Sequence, residues 1–159
     1  MLTDLFNTNA AGVPSPHLSL RLVPAIKPIA LIAEDHDDSR EMLRILLERK
    51  NWIVCEARDG IEAVEMAYCR QPKVILMDGS LPLIDGLEAT RRIRRNEPSR
   101  EVFILAMNGW GTPDYHLAAL AAGCNDSLIK PIDFELLDSF LAPFSLDSSQ
   151  ATAFHAAQV

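Results

Sequence analysis

A chain of 159 residues, 48% hydrophobic and 23% charged, has the size and composition of one globular domain. Its net charge of −7 argues against broad binding to nucleic acids or anionic membranes, which favours a basic surface. The N-terminal residues carry neither a basic segment nor a long apolar run, so we expect no secretory signal. The cysteines (Cys55, Cys69 and Cys124) lack metal-site spacing, which favours a reduced, cytoplasmic protein with buried thiols.

The two ends of the chain differ in pattern from its centre. Residues 1–27 contain three prolines among small polar residues, which predicts an irregular N-terminal extension. Residues 145–159 have a weak pattern typical of a loose tail. The predicted folded unit is therefore 28–144, with no internal repeat.

Five short apolar segments alternate with helical patterns inside that unit. The segments are IALIA (29–33), IVCEA (53–57), KVILMD (73–78), VFILAM (102–107) and SLIK (127–130). Alternation of this kind predicts an α/β fold with a parallel five-stranded sheet and helices on both faces.

The helical segments are predicted from apolar spacing. The first covers 38–50, and Leu117, Leu120 and Ala121 mark a fourth helix that Gly123 stops. The run RRIRR (91–95) on the third helix is interpreted as a solvated face, because the chain as a whole is acidic.

Polar side chains follow four of the predicted strands at the point where each strand ends. They are Glu34 and Asp35, Asp78, Asn108, and Lys130. In an open parallel sheet these ends line the ligand-binding crevice. Three carboxylates that meet there would repel one another, and a hard cation such as Mg²⁺ relieves the repulsion. An aspartate beside a cation and a lysine can accept a phosphoryl group as an acyl phosphate.

The chain resembles the receiver domain of bacterial response regulators over residues 28–142. The matching segments are LIAEDHDDSRE, ARDGIEAVEMA, VILMDGSLPLIDGLEATRRIR and LAAGCNDSLIKP, together with a closing helix. The resemblance implies a flavodoxin-like (βα)5 sandwich whose sheet has strand order 2-1-3-4-5.

The same resemblance implies roles for individual residues. Asp78 is similar to the phosphoacceptor of the family, and Lys130 to its invariant lysine, after which the peptide bond is usually cis. Glu34 and Asp35 resemble the acidic pair at a Mg²⁺ site, with Asp35 the direct ligand and Glu34 acting through water. The backbone carbonyl of Ser80 would be a further metal ligand.

Two positions depart from the family pattern. Asn108 stands where receivers carry Thr or Ser, whose hydroxyl moves to meet the phosphoryl group. Ser127 stands where they carry the aromatic residue that moves with this hydroxyl. The Asn108 amide can still donate to a phosphoryl oxygen. Whether Asn108 is a turn residue or part of the site stays open here.

Two further residues near the expected site have alternative interpretations. His36 is interpreted as a loop residue, since as a ligand it would suit zinc or copper better than magnesium. Trp110 is interpreted as packing its loop against the fourth helix, or alternatively as shielding the acyl phosphate from water. Because neither Ser80 nor Trp110 is an acid that could orient an attacking water, we expect slow self-dephosphorylation.

These features together predict a single-domain response regulator that works with Mg²⁺. Its phosphoryl donor would be a histidine kinase or a histidine phosphotransfer protein. The donor would dock near the first helix, where Leu43 and Leu47 are expected to present apolar surface, and near Pro131-Ile132. No output domain is expected after residue 144, so the signal would pass to an unknown downstream protein, by onward phosphotransfer, or through a homodimer. The alternative is a receiver-like adaptor that works without phosphorylation. An aspartyl phosphatase is disfavoured because Ser80 replaces its second aspartate.

Overall fold

The computed structural model describes residues 26–145, and these form an α/β sandwich around one parallel sheet. The predicted N-terminal extension and C-terminal tail therefore lie, apart from their innermost residues, outside the described residues. The strands are β1 Ile29–Ala33, β2 Ile53–Ala57, β3 Val74–Asp78, β4 Phe103–Asn108 and β5 Asp126–Ile129. The helices are α1 Asp37–Arg49, α2 Gly60–Arg70, α3 Gly86–Arg95, α4 Pro113–Ala122 and α5 Phe134–Leu141.

The sheet has the order β2-β1-β3-β4-β5, and all of its strand pairs are parallel. The flavodoxin-like order that the resemblance implies is thus confirmed. Every predicted strand is present with its ends shifted by at most one residue, as for β4, which includes Asn108. Successive strands are added on one side of β1 and then on the other, so the strand order reverses between β1 and β3. This reversal creates a crevice at their carboxyl ends, which is where ligands bind in such sheets.

Helices cover the sheet on both faces. On one face α1 and α5 bury Leu43, Leu47, Leu137 and Leu141 against the strands. On the other face α2, α3 and α4 pack largely through small side chains. The small residues let these helices lie close to the sheet, and they leave little room for movement without repacking.

The predicted fourth helix is present and ends before Gly123, but the leucines that mark it in the sequence are not the residues that it buries. The residues that α4 buries are Ala119 and Ala122, whereas Leu117 and Leu120 are 63% and 42% exposed. Alanines spaced three apart allow closer contact with β5 and α3 than leucines would, so packing selects the alanine stripe. The two leucines consequently lie on the outer surface.

The interpretation of RRIRR as a solvated face is wrong for one of its arginines. Arg94 is half-buried and donates to the backbone carbonyls of Gly123, Arg100 and Val102 and to Asn125 Oδ1, at 2.7 to 2.8 Å. It therefore joins the end of α3 to the turns before β4 and β5. The neighbouring arginines of the run are exposed.

Local sequence places the first turn of α3 against the end of β3. Asp85 caps α3 by accepting from the Glu88 backbone N–H at 2.8 Å. Gly86 follows, and a Cβ at this position would lie 2.1 Å from the carbonyl oxygen of Asp78. Only glycine permits this approach, which fixes the loop between β3 and α3 around the carboxyl end of β3.

Candidate functional site

Three strand ends meet at one half-buried lysine. Lys130, directly after β5, places its Nζ 2.6 Å from Glu34 Oε2 and 2.8 Å from Asp78 Oδ1. Glu34 lies directly after β1 and is 2% exposed, and Asp78 ends β3 and is 4% exposed. Two carboxylates at such low exposure require a cation, and Lys130 supplies it. We call Glu34, Asp35, Asp78 and Lys130 the acidic cluster.

The electrostatics of Lys130 result from these two contacts. Burial lowers the pKa of its ammonium group, but hydrogen bonds and charges from Asp78 and Glu34 outweigh burial and raise the pKa above the usual value. Lys130 therefore carries its positive charge throughout the neutral range. The peptide bond between Lys130 and Pro131 is cis, as the resemblance implied.

Carboxylate oxygens suitable for a hard cation lie at the mouth of this cluster. Glu34, Asp35 and His36 each offer a ligand atom within 4.8 Å of the others. Asp35 is more exposed than Glu34, and His36 lies on the surface in the loop before α1, as predicted. The donor set next to Asp78 is dominated by oxygen and so fits Mg²⁺, which takes few protein carboxylates and keeps several waters.

Asp78 is held in place from both of its carboxylate oxygens. Oδ1 contacts Lys130, and Oδ2 accepts from the backbone N–H of Ser80 at 3.1 Å. The carboxylate is thus oriented by a side chain and by the loop that leaves β3. The role of the Ser80 carbonyl as a metal ligand stays a prediction.

A buried arginine that the sequence analysis did not identify binds the backbone at the acidic pair. Arg40 of α1 donates to the carbonyl oxygen of Glu34 at 2.9 Å and also forms ion pairs with Asp37 and Glu56. A signal was present in the sequence, because Arg40 precedes Leu43 by three residues and Leu47 by seven. That spacing places its side chain on the buried stripe of α1.

Asn108, which the resemblance places at the switch position, binds the backbone of the turn that follows β4. Its Oδ1 accepts from the backbone N–H groups of Trp110 and Gly111 at 2.9 and 3.0 Å, and the residue is 5% exposed. An amide nitrogen cannot accept hydrogen bonds, so these two donors identify which end of the side chain is oxygen. The amide NH₂ remains as the end that can donate to another group.

Trp110 does not pack its loop against α4. It is 76% exposed, so the first interpretation of this residue is wrong. The backbone of this loop is held by the Asn108 side chain, which accepts from the N–H groups of Trp110 and Gly111. Shielding of an acyl phosphate by Trp110 stays a prediction.

Ser127 contacts α4 through a polar bond. Its Oγ lies 2.8 Å from His116 Nδ1, and Asp126 Oδ1 lies 3.9 Å from the same nitrogen. Receivers usually have an aromatic residue at this position of β5, according to the resemblance. Here β5 is joined to α4 by a hydrogen bond that sequence patterns do not reveal. We call Asn108, Tyr115, His116 and Ser127 the α4 side of the site.

Comparison with known proteins decides the family. The response regulator receiver domain family matches residues 30–142. The chain belongs to the response regulator receiver domain family. This receiver is similar to the receiver domain of the sensor histidine kinase PA1611 from Pseudomonas aeruginosa PAO1, which has a magnesium ion coordinated in its active-site cleft. That structure is 32% identical with a TM-score of 0.69, and the match covers 77% of this chain and 100% of the other.

Two further similar proteins are a response regulator and a receiver domain crystallised with a histidine phosphotransfer protein. The polar-differentiation response regulator DivK of Brucella ovis is 29% identical over 115 residues, which is 70% of this chain and 94% of DivK. A co-crystal of the Saccharomyces cerevisiae histidine phosphotransfer protein Ypd1 with the receiver domain of Ssk1 is matched with 27% identity and a TM-score of 0.68. That match covers 75% of this chain and 89% of the other.

The chain also matches longer proteins, of which it spans only a part. It covers between 16% and 45% of the length of four curated relatives. Receiver domains therefore occur both as nearly whole proteins and as parts of larger ones. Among residues 26–145 no helix is long and apolar enough to cross a bilayer.

Proposed function

We propose that this receiver accepts a phosphoryl group on Asp78 from a phosphohistidine of a histidine kinase or phosphotransfer protein. The observation that carries the proposal is the contact of Lys130 Nζ with both Glu34 and Asp78. It brings a nucleophilic carboxylate, a second acid and a fixed positive charge to one crevice. Phosphoryl transfer depends mainly on such positioning and charge neutralisation.

The transfer itself is a substitution at phosphorus. A carboxylate oxygen of Asp78 forms the new P–O bond while the P–N bond to the donor histidine breaks, which yields an acyl phosphate. Lys130 neutralises charge on the entering group, and the Ser80 N–H orients the carboxylate. Glu34, Asp35, Asp78 and the Ser80 carbonyl would hold Mg²⁺, which would supply further charge neutralisation.

The donor would dock on the outer face of α1 and beside Pro131-Ile132. The sequence prediction that Leu43 and Leu47 present apolar surface here is wrong, because both are fully buried. Met42 and Ile45 are the exposed apolar residues of this helix. The Ypd1–Ssk1 co-crystal supports a phosphotransfer partner by analogy.

Output would pass through the exposed residues of α4, to a downstream protein, to a second copy, or by onward phosphotransfer. Leu117 and Leu120 lie on the outer surface of this helix. We place the protein in the cytoplasm, where its three free cysteines would stay reduced.

Acetyl phosphate provides the test of the phosphoacceptor. The chain is incubated with acetyl phosphate and Mg²⁺, and its intact mass is measured. We expect a gain of one phosphoryl group in the wild type and in Asp138→Asn, a control on α5. Asp78→Asn should show no gain, and an Asp78→Asn variant that is modified like the wild type would refute the proposal.

A second candidate is an adaptor that works without phosphorylation. It is favoured by the Asn108 side chain, whose oxygen is already used by the backbone of Trp110 and Gly111. Absence of any mass gain in the wild type, with EDTA leaving partner binding unchanged, would support this candidate.

A further inference from the structure

Tyr115 of α4 lies against the residue directly after the phosphoacceptor. A Cβ at Gly79 would be 2.3 Å from the Tyr115 hydroxyl oxygen and 2.9 Å from its Cζ. The ring also packs on the apolar cluster between the sheet, α3 and α4. Gly79 thus leaves the space that the end of the Tyr115 ring needs. A side chain on α4 is therefore in direct contact with the loop after Asp78.

The hydroxyl group of Tyr115 has no hydrogen-bond partner among residues 26–145, although the oxygen is buried. Burial raises the pKa of this phenol, and the neighbouring Cys124, Asp78 and Asp85 raise it further, so the group stays a neutral donor. A buried donor without an acceptor is unfavourable, and the state that gives it an acceptor gains stability.

This chain lacks the aromatic residue on β5 that the receiver resemblance implies as the link between the site and the surface. Ser127 of β5 is bound to His116, the residue next to Tyr115. The aromatic side chain that contacts the acceptor loop therefore comes from α4, while β5 contributes a short polar one. Both contacts lead to the first half of α4.

We propose that Tyr115 is a positioning residue that transmits the state of Asp78 to α4. This inference rests on the proposed function of Asp78. A phosphoryl group adds acceptor oxygens next to the loop that Tyr115 contacts, and the hydroxyl donates to one of them. The first turn of α4 moves with the ring, which shifts the surface that carries Leu117 and Leu120.

The plain alternative is that Tyr115 only fills space. Tyr115→Phe separates the two, since it keeps the ring and removes the donor. The chain has two tyrosines, and the other, Tyr68, is exposed on α2. Tyr68→Phe is therefore a control with the same chemical change away from the site.

Beryllofluoride with Mg²⁺ serves as a stable mimic of the phosphoryl group on the full chain. Fluorine NMR reports whether the mimic binds, and Asp78→Asn shows whether it binds at Asp78. Tyrosine ring labels and backbone amide signals report the response of Tyr115 and α4. In the wild type we expect a signal from bound beryllofluoride and shifted signals for Tyr115 and the α4 amides, with the Tyr68 signal unchanged.

Tyr115→Phe should still bind the mimic but lose most of the α4 shift, and Tyr68→Phe should respond like the wild type. Gly79→Ala, which displaces the ring, should reproduce the loss. If Tyr115→Phe binds beryllofluoride and its α4 signals shift as much as in the wild type, the inference is overturned while the proposed function stands. If the wild type does not bind beryllofluoride, both the proposed function and the inference are overturned.

Discussion

The acidic cluster and the α4 side differ in how closely they match the receiver pattern. In the acidic cluster the residues that the resemblance indicated lie at the carboxyl ends of β1, β3 and β5, and Lys130 contacts both Glu34 and Asp78. On the α4 side the two residues that the receiver pattern expects are replaced by Asn108 and Ser127. Asn108 binds a loop backbone, and Ser127 binds His116. The comparison indicates that this chain keeps the acidic cluster of a receiver while the contacts around α4 differ from the receiver pattern.

Removal of the lysine charge is the strongest way to break the acidic cluster. Lys130→Met leaves Glu34 and Asp78 buried without a cation, so without divalent ions we expect a loss of about 3 kcal/mol in the free energy of unfolding. Added Mg²⁺ should recover part of this loss, because it supplies a replacement charge. Urea unfolding with and without Mg²⁺ measures both effects.

The matched control for that variant is Lys50→Met. Lys50 pairs with Asp138 at 2.7 Å, and these side chains are 37% and 42% exposed, far more than Glu34 and Asp78. A surface pair of this kind contributes less than about 1 kcal/mol. Equal losses in the two variants would contradict the account of Lys130 as the cation of a buried site.

Asn108 tests whether the loop on the α4 side depends on one side-chain oxygen. Asn108→Ala removes the acceptor of two backbone N–H groups and should cost about 1 to 2 kcal/mol. The amides of Trp110 and Gly111 should then exchange faster with solvent, as measured by hydrogen–deuterium exchange. Asn108→Asp keeps the acceptor and should retain their protection, so fast exchange in both variants would refute this role.

The contact between Ser127 and His116 should have a smaller effect. Ser127→Ala removes a partly exposed hydrogen bond, which we expect to cost about 0.5 to 1 kcal/mol and to speed amide exchange in α4. Ser139→Ala, which removes a hydroxyl on the exposed face of α5, is the control. If α4 exchanges equally in both variants, the bond does not hold the helix.

The smallest effect on the free energy of unfolding at neutral pH is expected for the Tyr115 hydroxyl, and this effect becomes measurable at alkaline pH. The folded-state pKa of this phenol is raised above its ordinary value of 10.0, mainly by burial. A raised pKa stabilises the fold below pH 10, and this contribution is lost as the pH rises toward the folded-state pKa.

Tyrosine absorbance measures that contribution directly. In Tyr68→Phe, which keeps Tyr115 as its one tyrosine, the phenol should stay un-ionised at pH 10 while the chain is folded. Its ionisation should accompany unfolding. Ionisation of Tyr115 near pH 10 in the folded variant would contradict the burial of its hydroxyl.

The apolar strands and the polar residues at their carboxyl ends were sufficient to predict a parallel sheet and the acidic cluster, whereas the strand order came from the resemblance to receivers. The sequence was not sufficient for contacts between side chains and distant backbone. Arg94 lies in a run of like charges, and nothing in that run distinguishes the arginine that binds three carbonyl groups. On α4 the leucines give the stronger apolar signal, yet packing against β5 selects the alanines.

The α4 side shows the same limit at single residues. Asn108 was identified from its position, but its hydrogen bonds depend on the loop conformation that brings two N–H groups to one oxygen. Tyr115 was missed because its contact with the chain after Asp78 depends on the space that Gly79 leaves, which a local pattern does not contain. Such contacts are tertiary and have no periodic signature.

Chemical trapping of the acyl phosphate tests the central claim most directly. Borohydride reduces an aspartyl phosphate to homoserine, and peptide mass mapping of the treated chain then locates the modified residue. After incubation with acetyl phosphate and Mg²⁺, we predict homoserine at position 78 and at no other position. Homoserine at another aspartate such as Asp35, or at none, would contradict the assignment of Asp78 as the phosphoacceptor.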